Sequence, residues 1–379
     1  METYVGTLLC LFICYHSVSA QDFDYNEDYN RGTVANGKFY SADKTRDWKL
    51  TSEDGDSWPK YKNLDQNSDG VVTFDEFKPG IDLPLPDLGG KVMRNVVYKE
   101  ADGRVLLMDI YQPAKATEKP TPVLYYSHGG GWSGGQKEAS GDILTVCQKL
   151  SNRGFTVVMV SYRLVREWDK NDTVTMKDCI VDCRDGLRFL KKHDSKLGID
   201  MNRVAVFGSS AGGHLAQLMT FSKSDSFLGK EELRAFAVSP ATGVSWFGPS
   251  DFRDGKLFEW DGPGQKFAVD FWAKKITRGE SFNYPQESAE VQTTTDKLSP
   301  VWWLSSDSAP LLHVHGDIDS VIPPQHATHL QQAAKKTGAP VTVQIVKGAG
   351  HGWWAQDIVP DRNSVIEQTV EFIVANTKR

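Results

Sequence analysis

The chain is poor in cysteine. It has five in 379 residues, and Cys10 and Cys14 fall within the first twenty. The remaining Cys147, Cys179 and Cys183 are an odd number, and Cys179 and Cys183 stand four apart on an expected helix, where bridging geometry is poor. That excludes a disulfide framework and predicts buried free thiols, a mild argument against export. Basic runs are also missing. The formal net charge is −6, which argues against nucleic acid or an anionic membrane as partner. Past the N-terminus no apolar run is long enough to cross a bilayer. No internal repeat is visible. The nine histidines include no H-x-x-x-H pair and no Cys/His cluster of the kind that holds zinc.

Residues 1–20 read as a secretory signal. Thr7–Tyr15 is apolar but too short for a span, and Val18-Ser19-Ala20 suits a cleavage site. A secreted or periplasmic protein with no membrane span after signal removal is the expectation. The leading segment carries Glu2 and no Lys or Arg, so a buried N-terminal strand or an uncleaved anchor is the alternative. Residues 21–57 begin acidic and are expected to be poorly ordered. An EF-hand-like unit is expected at 58–80 and a stiff Pro/Gly linker at 81–91.

From 92 to 379, strand and helix patterns alternate. This predicts one α/β domain with a mostly parallel sheet and helices on both faces, led by a hairpin of Val92–Lys99 and Arg104–Tyr111. Further strands are expected at Phe155–Val160, Phe236–Ser239 and Val341–Val346, and a small cap insertion at 248–297.

Gly208-Ser209-Ser210-Ala211-Gly212 follows the apolar run Arg203–Phe207 and opens a helical pattern. G-x-S-x-G between strand and helix places a serine on a tight turn, where neighbouring side chains would clash. Ser210 is therefore the candidate nucleophile. His128-Gly129-Gly130-Gly131-Trp132 follows the run Pro122–Tyr126 and reads as an oxyanion loop, with backbone N–H donors assigned to Gly130, Gly131 and Ala211. Leu311–His315 leads to Asp317 and Asp319, and Val341–Val346 leads to His351. The order Ser, Asp, His makes His351 the general base and an aspartate its orienting partner. Of the two, Asp319 is preferred, because the chain must leave the sheet before a carboxylate reaches the ring. Asp317 then orients the loop.

Other histidines receive plain readings. His313 and His315 share a strand face. His128 braces its own loop, His214 packs beneath the site, and His193, His326 and His329 are expected at solvated helix positions. Trp132 and Trp353 flank catalytic motifs and are the candidate substrate-contacting residues, as flat walls for a sugar or an aromatic acyl group.

A motif of another kind runs from Asp65 to Glu76. Asp65, Asn67 and Asp69 supply side-chain oxygens, Val71 a carbonyl, Thr73 position nine and Glu76 position twelve, with Gly70 at the turn. Trp58–Leu64 would be the entering helix, with Ser57 as its cap. Pro79-Gly80 cuts the exiting helix short, and there is one such loop. A structural Ca²⁺ clip is expected, with no cofactor for catalysis.

Residues 92–377 resemble the α/β-hydrolase family in its HGGG-bearing esterase branch, through HGGGW, Ser161-Tyr-Arg-Leu164, Val244–Asp251, HGDID and GAGHG. Together they look most like secreted bifunctional acetylxylan/feruloyl esterase-like hydrolases. The resemblance implies a serine carboxylic-ester hydrolase acting on acetyl or feruloyl esters of plant-type polysaccharide. HGGGW also resembles the oxyanion loop of arylformamidases, so a small-molecule carboxylesterase, lipase or arylformamidase is the first alternative. A catalytically idle Ca²⁺-dependent binding protein is the second.

Overall fold

In the computed structural model the described residues are 42, 49–65, 67–73, 77, 86–115, 120–166, 171–262, 269–278, 288–353 and 357–378. The expected signal segment, Glu76 and most of the 21–48 stretch lie outside them.

The small N-terminal unit is built on two short strands, β1 (Lys49–Leu50) and β2 (Val72–Thr73). They run antiparallel with Leu50 opposite Val72. Leu50, Val72, Phe77 and Ala42 are buried together. Within the expected poorly ordered stretch, residues 49–57 are therefore ordered. The loop's strand has backbone groups to satisfy and Val72 to bury, and the segment before it supplies both. The entering helix is also shorter than expected. An α-turn at Trp58–Tyr61 passes into 3₁₀ at Lys62–Leu64, and Ser57 makes no side-chain cap. Thr51 caps instead, one turn system earlier, in a capping box with Asp54.

The main body carries an eight-stranded sheet. Its strands are β3 (Val92–Ala101), β4 (Arg104–Tyr111), β5 (Thr121–Ser127), β6 (Thr156–Val160), β7 (Ile199–Ser209), β8 (Thr242–Trp246), β9 (Leu311–Gly316) and β10 (Val341–Val346). Their spatial order is β10-β9-β8-β7-β5-β6-β4-β3. The β3–β4 and β4–β6 pairs are antiparallel and the others parallel. Asp102 and Gly103, both at positive φ, turn the leading hairpin. This is the α/β-hydrolase fold.

Alternation along the central strands splits the core in two. Val123, Tyr125, Val204 and Val206 join one cluster, while Leu124, Tyr126, Ala205 and Phe207 join the other. The helices Met176–Lys192 and Ala211–Phe221 cover the first face, and Gly141–Asn152 and Arg362–Asn376 the second. Among the described residues the three thiols are free and buried, with Cys147 on one face and Cys179 and Cys183 on the other.

One strand is misplaced in the sequence reading. Phe236–Ser239 is irregular, and the ladder next to β7 is taken by Thr242–Trp246, all five buried. Arg184 explains part of the difference. Buried on the Met176–Lys192 helix, its guanidinium donates to the carbonyls of Val238 and Ser222 and to the Ser222 hydroxyl, tying both segments to a helix. The expected cap also starts late. Gly248–Phe252 are buried, and the helices Val269–Thr277 and Ala289–Leu298 follow.

Candidate active site

The strand order reverses around β5, which lies between β6 and β7. Loops leaving β5 and β7 therefore come off the same edge side by side, at the place where α/β sheets bind ligands. Ser127 pairs with Gly208 at that edge. β9 and β10 are likewise adjacent and parallel, so the loops after them meet.

Ser210 sits on the turn between β7 and its helix at φ +53° and ψ −122°, a conformation costly for any residue with a side chain. Its amide donates to the Trp246 carbonyl at 2.8 Å and its carbonyl accepts from the His214 amide at 3.0 Å, which hold the strain in place. The flanking glycines are sterically required. A Cβ on Gly208 would lie 2.3 Å from the Gly212 carbonyl carbon.

The HGGG loop lies over this turn. A Cβ on Gly129 would be 2.9 Å from the Ser209 carbonyl oxygen and 3.5 Å from Ser210 Cβ. Gly130 and Gly131 both take positive φ, at +113° and +60°. Among the described residues the amides of Gly130, Gly131 and Ala211 have no protein acceptor, as donors reserved for an oxyanion require. His128 Nδ1 lies 2.7 Å from the Gly129 carbonyl, and the ring stacks on Tyr162 at 4.2 Å. Burial lowers the His128 pKa to about 4, so it braces the loop as a neutral ring.

His351 joins the two halves. Ser210 Oγ donates to its Nε2 at 3.0 Å, and its Nδ1 donates to Asp319 Oδ2 at 2.8 Å. Asp319 is fully buried, and its Oδ1 accepts the amides of Val321 and Ile322, each at 2.9 Å. Asp317 instead accepts the Gly348 amide at 2.7 Å and ties the acid loop to the histidine loop. Of the two carboxylates, Asp319 is the one within hydrogen-bond distance of the His351 ring. The arrangement suits transfer of an acyl group to Ser210, with His351 taking and returning the proton.

The two tryptophans are placed differently from expectation. Trp132 is 0% exposed and Trp353 2%, each in a different core cluster. Trp132 packs edge-on against His214, Phe252 and Trp272, and Trp353 against Trp246 and Phe247. Both indoles fill the core beneath the loops that bear them and present no open face. His326 is likewise buried, edge-on to Phe258, whereas His193 and His329 are half-buried. His214 packs beneath the site as expected, its Nε2 donating to the Leu298 carbonyl.

Two supporting residues were not singled out from sequence. Tyr162 donates to the His128 carbonyl at 2.7 Å, so the Ser161-Tyr-Arg segment after β6 reaches across to the oxyanion loop. Phe247 meets the His351 ring edge-on at 4.6 Å. The order of strands in space, absent from their order in sequence, makes both contacts.

In the calcium-type loop, Asp65 accepts the Asp69 and Gly70 amides, Asn67 the Asp69 amide and Asp69 the Val71 amide. Thr73 lies in β2. Glu76 lies outside the described residues.

The family model described as BD-FAE matches residues 108–334. Esterase LipC of Mycobacterium tuberculosis is 26% identical over 75% of this chain and 68% of its own. The ethyl acetate hydrolase of Pseudomonas putida is 27% identical over 72% of this chain and 77% of its own. A truncated carbohydrate esterase from gut microbiota superposes with a TM-score of 0.62 at 20% identity, covering 79% of this chain and all of that one, and so shares the fold.

Proposed function

Since the chain belongs to the BD-FAE family and is a serine carboxylic-ester hydrolase, we propose that it cleaves acetyl or feruloyl esters carried on plant-type polysaccharide outside the cell. The observation that carries the reading is the Ser210–His351–Asp319 relay beneath free loop amides, on a chain matched by that family model. In the proposed reaction Ser210 attacks the ester carbonyl while His351 takes its proton. The Gly130, Gly131 and Ala211 amides hold the oxyanion, and His351 returns the proton to the leaving sugar oxygen. Water then attacks the acyl-serine by the reverse route.

A second reading, hydrolysis of small free esters, draws on the burial of Trp132 and Trp353, which removes the two flat walls offered to a sugar ring. Release of acetate and ferulate from acetylated and feruloylated xylan, beside p-nitrophenyl acetate and with Ser210→Ala as control, separates the two. Release that disappears in the variant supports the polysaccharide. Turnover of the small ester alone overturns it and leaves the Ser210 chemistry standing.

The Asp65–Glu76 loop is proposed as a structural Ca²⁺ clip. The support is its turned-in side chains: three residues spend oxygens on the loop's own amides, and the donor set is all oxygen, as calcium prefers. The ion would neutralise crowded carboxylates and has no part in the acyl transfer. EDTA is expected to lower the melting temperature, and CaCl₂ to restore it, with turnover per folded molecule unchanged. An identical melting curve in EDTA and CaCl₂ removes the proposal.

A further inference from the structure

Behind the catalytic aspartate runs a buried chain of polar side chains that the acyl-transfer scheme does not use. His315 Nε2 lies 2.8 Å from the Ile322 carbonyl, and His313 Nε2 lies 3.0 Å from His315 Nδ1. His313 Nδ1 lies 3.2 Å from Ser245 Oγ, which in turn accepts from Gln217 Nε2 at 3.0 Å. All four side chains are fully buried.

The proton positions follow from the two ends. A carbonyl can only accept, so His315 Nε2 carries a proton and donates it to Ile322. Burial pushes the pKa values of His315 and His313 down, so both rings are neutral and each has one bare nitrogen. The bare nitrogen of His315 is Nδ1, which makes His313 Nε2 the donor to it. The bare nitrogen of His313 is then Nδ1, which takes the Ser245 hydroxyl proton. At the far end the Gln217 amide nitrogen also meets the carbonyls of Gly248 and Pro249, which fixes it as a donor. Every bond points one way, from Gln217 to Ile322, and bonds so aligned polarise one another.

The chain ends where the catalytic acid is held. The Ile322 amide is one of the two that grip Asp319 Oδ1, and His315 Nε2 itself stands 3.5 Å from Asp319 Oδ2, the oxygen that binds His351. We propose that His315 is a positioning residue for Asp319, pinning the Asp319–Ile322 turn through the Ile322 carbonyl, and that His313 and Ser245 hold its tautomer. The titratable groups around it are Asp319, His351, His313 and His326. The inference rests on the Ser210–His351–Asp319 reading.

The test compares His315→Ala, His315→Gln and Ser245→Ala with the parent on p-nitrophenyl acetate, with Ser210→Ala as control. Misplacement of the acid weakens the His351–Asp319 bond, so His315→Ala is expected to lose about 10- to 100-fold in kcat with KM nearly unchanged. The low-field NMR resonance of the His351 Nδ1 proton shifts or broadens. His315→Gln keeps a donor within reach of the Ile322 carbonyl and recovers most of kcat. If His315→Ala does not fold, Ser245→Ala carries the question, since it touches neither Asp319 nor His315 and acts only down the chain. A threefold or larger fall in kcat at constant KM supports the proposal. Parent-like kcat and an unmoved His351 Nδ1 proton resonance in whichever of these two variants folds overturn it. Activity retained in Ser210→Ala would instead bring down the triad itself.

Discussion

Ser127 and Gly212 lie so close that no side chain fits between them. A Cβ on Gly212 would stand 2.1 Å from the Ser127 carbonyl oxygen, and the Ser127 hydroxyl donates to the Gly212 carbonyl at 3.2 Å. This approach brings the end of β5 against the start of the nucleophile helix, and the oxyanion loop follows directly. Gly212→Ala is expected to cost more than ~4 kcal/mol and to yield little folded protein, because the clash is with backbone. At Gly131 a Cβ would meet nothing within 4 Å and the strain lies in its φ of +60° alone. Gly131→Ala is expected to cost about 1–2 kcal/mol of stability while kcat falls through a tilted amide. Urea unfolding with kinetics on the soluble fractions checks both. Equal destabilisation by the two variants would contradict the assignment of their separate roles.

Asp319 and Asp317 are two residues apart and do different work. Asp319→Asn is expected to reduce kcat by about 10⁴-fold, since an amide no longer selects the productive tautomer of His351. Asp317→Asn keeps an oxygen for the Gly348 amide and is expected to stay within about tenfold, the cost of weakening one hydrogen bond. A reversed ranking in single-turnover kinetics would move the acid to Asp317.

Tyr162 acts on the oxyanion loop from outside it. Tyr162→Phe removes the donor to the His128 carbonyl and keeps the stacked ring. The expected result is a loss of about three- to tenfold in kcat at nearly constant KM, the worth of one neutral hydrogen bond or slightly more. An unchanged kcat would reduce Tyr162 to packing.

The buried histidines set the response to acid. Burial lowers the pKa values of His128 and His214 to about 4, against an ordinary value of 6.5. Between those values the unfolded chain binds more protons than the folded one, so stability rises with pH. The contribution is complete above pH 6.5 and is lost as pH falls toward 4, on the order of 3 kcal/mol per histidine. His313, His315 and His326 are shifted in the same direction, also by burial. The urea midpoint should therefore fall steadily from pH 7 to pH 4, and a flat midpoint over that window would contradict the neutral, buried assignment.

What the sequence carried best were features with a local cause. Gly208, Ser210 and Gly212 announce a strained turn because only glycine tolerates such contact on either side of a serine. The choice of Asp319 came from counting residues past the strand end. That helices cover both faces of the sheet was legible in the alternation of strand and helix patterns from residue 92 onward. The misplaced strand at Phe236–Ser239 has a non-local cause, since a short apolar run before a proline has strand character whether or not a ladder is open to it. The burial of Trp132 and Trp353 was hidden for a similar reason. A motif's neighbour can face the cleft or the core, and packing alone chooses. The β1–β2 pairing was equally invisible, because two-residue strands carry no periodicity.

The sequence by itself determined the chemistry: a serine on a glycine-flanked turn, glycine amides for an oxyanion, and an acid and a base each just beyond a strand, all set by local sterics and charge. Only the tertiary structure decided which of these groups meet, and what stands behind them. Spatial strand order joins Ser127 to Gly208 and brings β9 beside β10. It also lines up Gln217, Ser245, His313 and His315 behind Asp319, because contacts between residues far apart in the chain exist only once the sheet has brought their strands side by side.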